Sequence, residues 1–130
     1  MNEPYQPPAR GWLPKFGDAL GGIVAGMHGQ GSFLVHIPAA GAVAALAIIL
    51  RVSWTEACLL VFCIAAVIGA ELMNTALEHL AKAITTEYHE GVRVGLNIAS
   101  GAVLFMALGA AVVGAMIFVP RLLALLSSSI

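Results

Sequence analysis

Ile98-Ala-Ser-Gly-Ala-Val-Leu-Phe-Met-Ala-Leu-Gly-Ala-Ala-Val-Val-Gly-Ala-Met-Ile-Phe-Val119 is a run of 22 residues without a charged side chain. A helix needs about 20 mostly apolar residues to cross the hydrocarbon core of a bilayer, so this run qualifies as a membrane span. Two further charge-free stretches lie upstream. Phe33–Leu50 holds 18 residues, with His36 and Pro38 near its start. Ala57–Ala70 holds only 14, but Leu72, Met73, Ala76 and Leu77 extend it if Glu71 is tolerated in or near the membrane. The runs are continuous and lack the alternation of a barrel strand, which predicts helices. The sequence therefore reads as an all-α membrane protein with three transmembrane helices, at about 33–50, 54–80 and 94–119.

Composition agrees with that reading. The 130 residues are 60% hydrophobic and 10% charged, with a mean hydropathy of +0.94; a soluble domain is nearer half apolar and a quarter charged. Such a chain is too hydrophobic for intrinsic disorder. A net charge of −1, from six Lys and Arg against seven Asp and Glu, offers no basic stripe for nucleic acid. Cys58 and Cys63, five apart in one apolar run, match neither a disulfide framework nor zinc-ligand spacing.

Ahead of the first span, Phe16, Ala19, Leu20, Ile23, Val24 and Met27 recur at helical spacing, with Lys15 and Asp18 near the start. This predicts an amphipathic surface helix over about 14–28, lying in the interface plane. Pro14 suits its first turn, and the glycine-rich stretch Gly26–Gly31 breaks it. Residues 1–13 read as a loose tail and 126–130 as a frayed end, leaving one membrane domain over 14–125. The first 32 residues hold no apolar core before a small-residue cleavage site, so the first span is expected to act as its own uncleaved signal. Lys and Arg counts orient the chain: Arg10, Lys15, Lys82 and Arg93 on one face against Arg51 and Arg121 on the other place the N-terminus in the cytoplasm. Trp12 and Trp54 read as interfacial anchors. Small residues every four positions (Ala107, Ala111, Ala115; Ala110, Gly114; Gly41, Ala45) allow helices to approach closely in lipid. Three short spans bury little within one chain, so a homo-oligomer is expected.

The chemistry centres on Glu71, Asn74, Thr75 and Glu78. At i, i+3, i+4 and i+7 they share one helical face, with the two carboxylates roughly 10 Å apart along the axis. A carboxylate at membrane depth marks a functional site by default. A carboxylate in a drier position suits a general base, and one nearer water can hold Mg²⁺ through oxygen. The competing structural reading has Glu78 open the following loop, paired with Lys82 at i+4. His28, His36, His79 and His89 together with these carboxylates leave room for a transition-metal site, although the spacing is no recognised metal motif.

At this point a resemblance becomes plain. Glu71-Leu-Met-Asn-Thr-Ala-Leu-Glu78 resembles the signature of the small bacterial membrane lipid kinases, the prokaryotic diacylglycerol and undecaprenol kinases. The likeness continues through Glu87-Tyr88-His89, Ser100-Gly101-Ala102-Val103-Leu104 and Ile117–Arg121, and upstream through Phe33-Leu-Val-His36 and Ser53-Trp-Thr-Glu56, covering roughly 14–122. It implies a surface helix plus three spans in a homotrimer in the bacterial inner membrane, using ATP and Mg²⁺ to phosphorylate diacylglycerol or undecaprenol. It further implies Glu71 as the base that takes the lipid hydroxyl proton, Asn74 as an active-site polar residue, and Glu78 as a Mg²⁺ ligand. The nucleotide side departs from the family. Gln30 stands where the family has a Glu, Leu96 and Asn97 replace a Lys-Asp pair, Lys82 replaces an Asp, and Asp18 replaces a Tyr that lies against the nucleotide. Two readings stay open: a lipid kinase with an altered nucleotide site, and a family member that keeps Glu71, Asn74 and Glu78 to bind a lipid head group, a metal or a membrane partner.

Overall fold

The computed structural model describes residues 11–128. Among them there are four helices and no strand: α1 (Trp12–Met27), α2 (Phe33–Ile49), α3 (Trp54–Ile84) and α4 (Glu90–Ser128). Two of these, α3 and α4, are long and apolar enough to cross a membrane, and α2 is a shorter apolar helix. At 1.5 Å per residue the 31 residues of α3 extend about 46 Å and the 39 of α4 about 58 Å, so both overshoot a hydrocarbon core of about 30 Å. The 17 residues of α2 reach about 26 Å.

Each helix end has a local cause. Ser53 begins α3 with a full capping box: the Glu56 backbone N–H donates to Ser53 Oγ at 3.4 Å, and the Ser53 N–H donates to Glu56 Oε2 at 2.7 Å. Ala81, Lys82 and Ala83 are good helix formers, so α3 runs four residues past the expected limit at 80. It stops at Thr85, whose Oγ1 accepts from the Glu87 N–H at 3.1 Å in the turn that follows. Glu90, in the first turn of α4, suits the positive end of the helix dipole and ion-pairs with Arg93. That start precedes the expected residue 94.

Both expected tails differ where they are described. Trp12 and Leu13 are helical rather than loose, because Gly11 caps α1 and Pro14 falls in the first turn, where a missing N–H costs nothing. Residues 126–128 continue α4, since the leucine-rich segment after Pro120 favours helix. The rest of both tails, with Glu3 and Arg10, lies outside the described residues.

The bundle is built on antiparallel packing of α3 and α4, fastened near both ends. At one end Arg121 Nη2 meets Glu56 Oε2 at 2.7 Å. Leu60, Ile117 and Phe118 form a buried cluster there, with Val43, Leu46 and Val113 packed on it. At the other end Ser100 faces Asn74. The small residues of α4 (Ala107, Ala110, Ala111, Gly114, Ala115) line a 420 Å³ apolar cleft shared with α2 and α3, whereas Gly41 and Ala45 are exposed and outside it. α1 packs on the C-terminal half of α3. At Gly26 a Cβ would lie 2.8 Å from Leu72 Cδ2.

Little of the apolar surface is buried within the chain. Accessible area is 9923 Å², against roughly 6,500 Å² for a soluble globular protein of this mass. Large hydrophobic side chains lie on that surface: Phe16, Leu34, Ile48, Phe62, Phe105 and Met116 are all exposed. A surface of this kind needs lipid or further protein to cover it.

Candidate active site

The buried polar side chains among the described residues cluster on one face of α3. Glu71 is 4% exposed, Asn74 8% and Thr75 3%, with Glu78 half-buried one turn on. The helix places them together because positions 71, 74, 75 and 78 share one stripe. Glu71 stands 17 residues from the start of α3, about 26 Å along the axis, close to the full depth of a hydrocarbon core.

Asn74 is the junction of the stripe. Its Nδ2 donates to Glu78 Oε1 at 3.2 Å, and its Oδ1 accepts from Ser100 Oγ at 3.4 Å. With the carboxylate as acceptor and the hydroxyl as donor, only this amide orientation satisfies both partners. Ser100 thereby extends the site onto α4. This contact is tertiary, and nothing in the spacing of either segment announces it.

Glu71 is different. Its carboxylate has no hydrogen bond or ion pair with any described residue. Among the described residues no fully enclosed side-chain oxygen or nitrogen lacks a partner, so the Glu71 oxygens sit at the accessible tip of an otherwise buried side chain. An unpartnered acceptor at that depth is poised to receive a proton from an incoming donor. Thr75, on the same face, borders the groove between α1 and α3. That groove has a volume of 660 Å³ and is walled by Gly22, Ile23, Gly26, Leu72 and Ala76.

Glu78 makes no ion pair with Lys82; its partner is Asn74. The pairing that would have made Glu78 an ordinary surface residue is therefore missing. Among the described residues no hydrogen bond joins the other candidates to Glu71, Asn74 or Glu78. Gln30 is half-buried in the turn between α1 and α2, lining a separate pocket with Phe33 and Pro38. Asp18 is exposed on α1. Asn97 is exposed on α4, three residues before Ser100. Among the described residues no three His, Cys, Asp or Glu side chains converge as a metal site, so the four histidines do not assemble a transition-metal centre with these carboxylates. The donor set suits a cation of another kind. Mg²⁺ is commonly held by one or two carboxylates plus substrate phosphates, and a single half-buried carboxylate such as Glu78 fits that use.

Residues 17–118 match the family described as prokaryotic diacylglycerol kinase. The chain belongs to that family. The prokaryotic diacylglycerol kinase match takes in α2, α3 and all of the polar stripe. Among curated relatives, the chain is 32% identical to undecaprenol kinase of Bacillus subtilis over 91 residues, 70% of this chain and 74% of the relative. It is 31% identical to diacylglycerol kinase of Synechocystis over 115 residues, 88% of this chain and 66% of that relative. No solved structure matches significantly. Membership, together with the two long apolar helices, makes this a membrane protein of a lipid kinase family.

Proposed function

We propose that the protein is an integral-membrane lipid kinase that moves the γ-phosphate of ATP to the hydroxyl of a membrane lipid, diacylglycerol or undecaprenol. The observation that carries the proposal is Glu71: a buried residue whose carboxylate has accessible oxygens and no partner among the described residues. In this reading the lipid alcohol enters beside α3 and donates its hydroxyl hydrogen bond to Glu71. The alcohol oxygen attacks the γ-phosphorus in line, the bond to the ADP oxygen breaks, and Glu71 takes the proton. Bound Mg²⁺ would neutralise charge on the phosphates, with Glu78 as its protein ligand and the Asn74 amide fixing the Glu78 carboxylate.

Three crossings are part of the proposal, with α2 as the shortest and α1 in the interface. A bacterial inner membrane is part of the proposal; the Lys and Arg distribution supports a cytoplasmic N-terminus, and Glu78 would then face the ATP side. Assembly as a homotrimer is part of the proposal, and would cover some of the exposed apolar surface. On the nucleotide side, Gln30, Asn97 and Asp18 would have to approach from other elements or other chains, and Gln30 and Asn97 offer neutral oxygens.

The test is transfer of ³²P from ATP in lipid bicelles containing diacylglycerol or undecaprenol, beside the Glu71→Gln variant. Labelled lipid that vanishes in the variant establishes the kinase. No product from either alcohol refutes it and returns the chain to the reading as a binding protein.

A further inference from the structure

At the end of the bundle far from Glu71, Arg51 and Arg121 open onto one cleft of 400 Å³, walled by Ile49, Leu50, Ala124 and Leu125. Arg121 is engaged: Nη2 pairs with Glu56 Oε2 at 2.7 Å and Nη1 donates to the Ile117 carbonyl at 2.8 Å. Arg51 is exposed, and its side chain makes no hydrogen bond or ion pair with any described residue. Two guanidiniums against the single carboxylate of Glu56 leave one uncompensated positive charge beside apolar walls.

The backbone at Arg51 is unusual. The Val52 N–H donates to the Ala47 carbonyl at 3.1 Å and the Arg51 N–H to Ile48 at 3.2 Å. This is the paired bonding that closes a helix on a left-handed residue, a position glycine normally fills. Arg51 holds it with φ +48°, at a cost of about 1–2 kcal/mol for an L side chain. Strain of this kind points to a use for the side chain. Trp54, three residues on and 85% exposed, marks the same level as membrane interface. There a guanidinium meets phosphates while the cleft walls meet hydrocarbon.

We propose that the Arg51–Arg121 cleft binds the phosphate headgroup of an anionic membrane phospholipid, with Arg51 on the phosphodiester and the apolar walls against the first part of the acyl chains. A planar guanidinium matches two phosphate oxygens at once. An anionic headgroup cancels the single excess charge, whereas a zwitterionic one brings a second cation beside it. The proposal stands on the membrane placement alone and is independent of kinase activity.

The experiment places the protein in nanodiscs of phosphatidylcholine mixed with phosphatidylglycerol. Lipid retained by the protein is then counted by native mass spectrometry, and thermal unfolding is followed in parallel. The wild type is expected to retain phosphatidylglycerol preferentially. Arg51→Asn removes the charge but tolerates the left-handed backbone, and should lower that preference about fivefold, the factor for one basic residue against an anionic surface. Arg51→Gly, which relieves the strain, should do the same, while Arg51→Lys retains most of the preference. The proposal is overturned if the wild type shows no preference, or if both charge-free variants keep it. It is also overturned if inorganic phosphate stabilises the wild type in pure phosphatidylcholine discs as strongly as phosphatidylglycerol does, since the ligand would then be a soluble anion.

Discussion

Replacing Glu71 with Gln separates a catalytic carboxylate from a structural one, because the two roles move activity and stability in different directions. The side chain is 4% exposed and the substitution preserves its shape. No described residue loses a hydrogen bond, since none bonds to this carboxylate. Folding therefore gives up no hydrogen bond, and with the carboxylate oxygens at the accessible tip of the side chain, stability should hold to within about 1 kcal/mol. Catalysis loses its proton acceptor. General base catalysis is worth about 10²–10⁴-fold, or about 3–5 kcal/mol in the barrier. Phosphorylation at saturating Mg-ATP should fall by that factor, while unfolding followed by Trp12 and Trp54 fluorescence should not shift downward. Glu71→Asp keeps the charge but draws it back by one methylene, so a smaller loss is expected. A variant that retains more than about a tenth of the wild-type rate, or one that loses activity and melts earlier, would refute the reasoning.

Asn74→Ala leaves both Glu78 and Ser100 without their partner, and should cost about 1–3 kcal/mol of stability with lower affinity for Mg-ATP; unchanged values in both assays would contradict the bridging role. A double-mutant cycle of Glu56→Gln and Arg121→Met should give a coupling of about 0.5–1 kcal/mol, modest because the two side chains are 25% and 31% exposed; equilibrium unfolding in mixed micelles measures it, and additivity would mean that the pair contributes nothing. Gly26→Ala should be tolerated within about 1 kcal/mol, because its new methyl meets only the mobile end of Leu72. Gly26→Phe should push α1 off α3 and lower activity while the α3–α4 core still melts cooperatively, with loss of disulfide trapping between a cysteine pair introduced on α1 and α3 as the readout.

The helices were legible because charge is expensive in lipid and its absence is easy to see: Phe33–Leu50 and Ile98–Val119 correspond to α2 and to the middle of α4. Their limits were less so. Ala81–Ile84 and Glu90–Arg93 are mostly polar or small yet helical, because helix continues past the apolar run wherever propensity and end charges allow. The stripe of Glu71, Asn74 and Glu78 could be read since all three belong to one helix, where spacing alone fixes the face. Asn74–Ser100, Glu56–Arg121 and the Gly26–Leu72 approach join residues far apart in sequence, and no local pattern encodes them. Gln30, Asp18 and Asn97 sit on three other segments, and no hydrogen bond between described residues joins them to the carboxylates.

The ion pair and apolar cluster that join α3 to α4 near Arg121 have a mechanical consequence. Close to Glu71 the same two helices are linked by one long hydrogen bond from Ser100 and little else that is polar. A pair of rods bolted at one tip and lightly latched at the other opens like tongs. In the proposed kinase a bulky lipid alcohol would enter beside Glu71 by a small splay of the latched tip, while the bolted tip kept the chain folded.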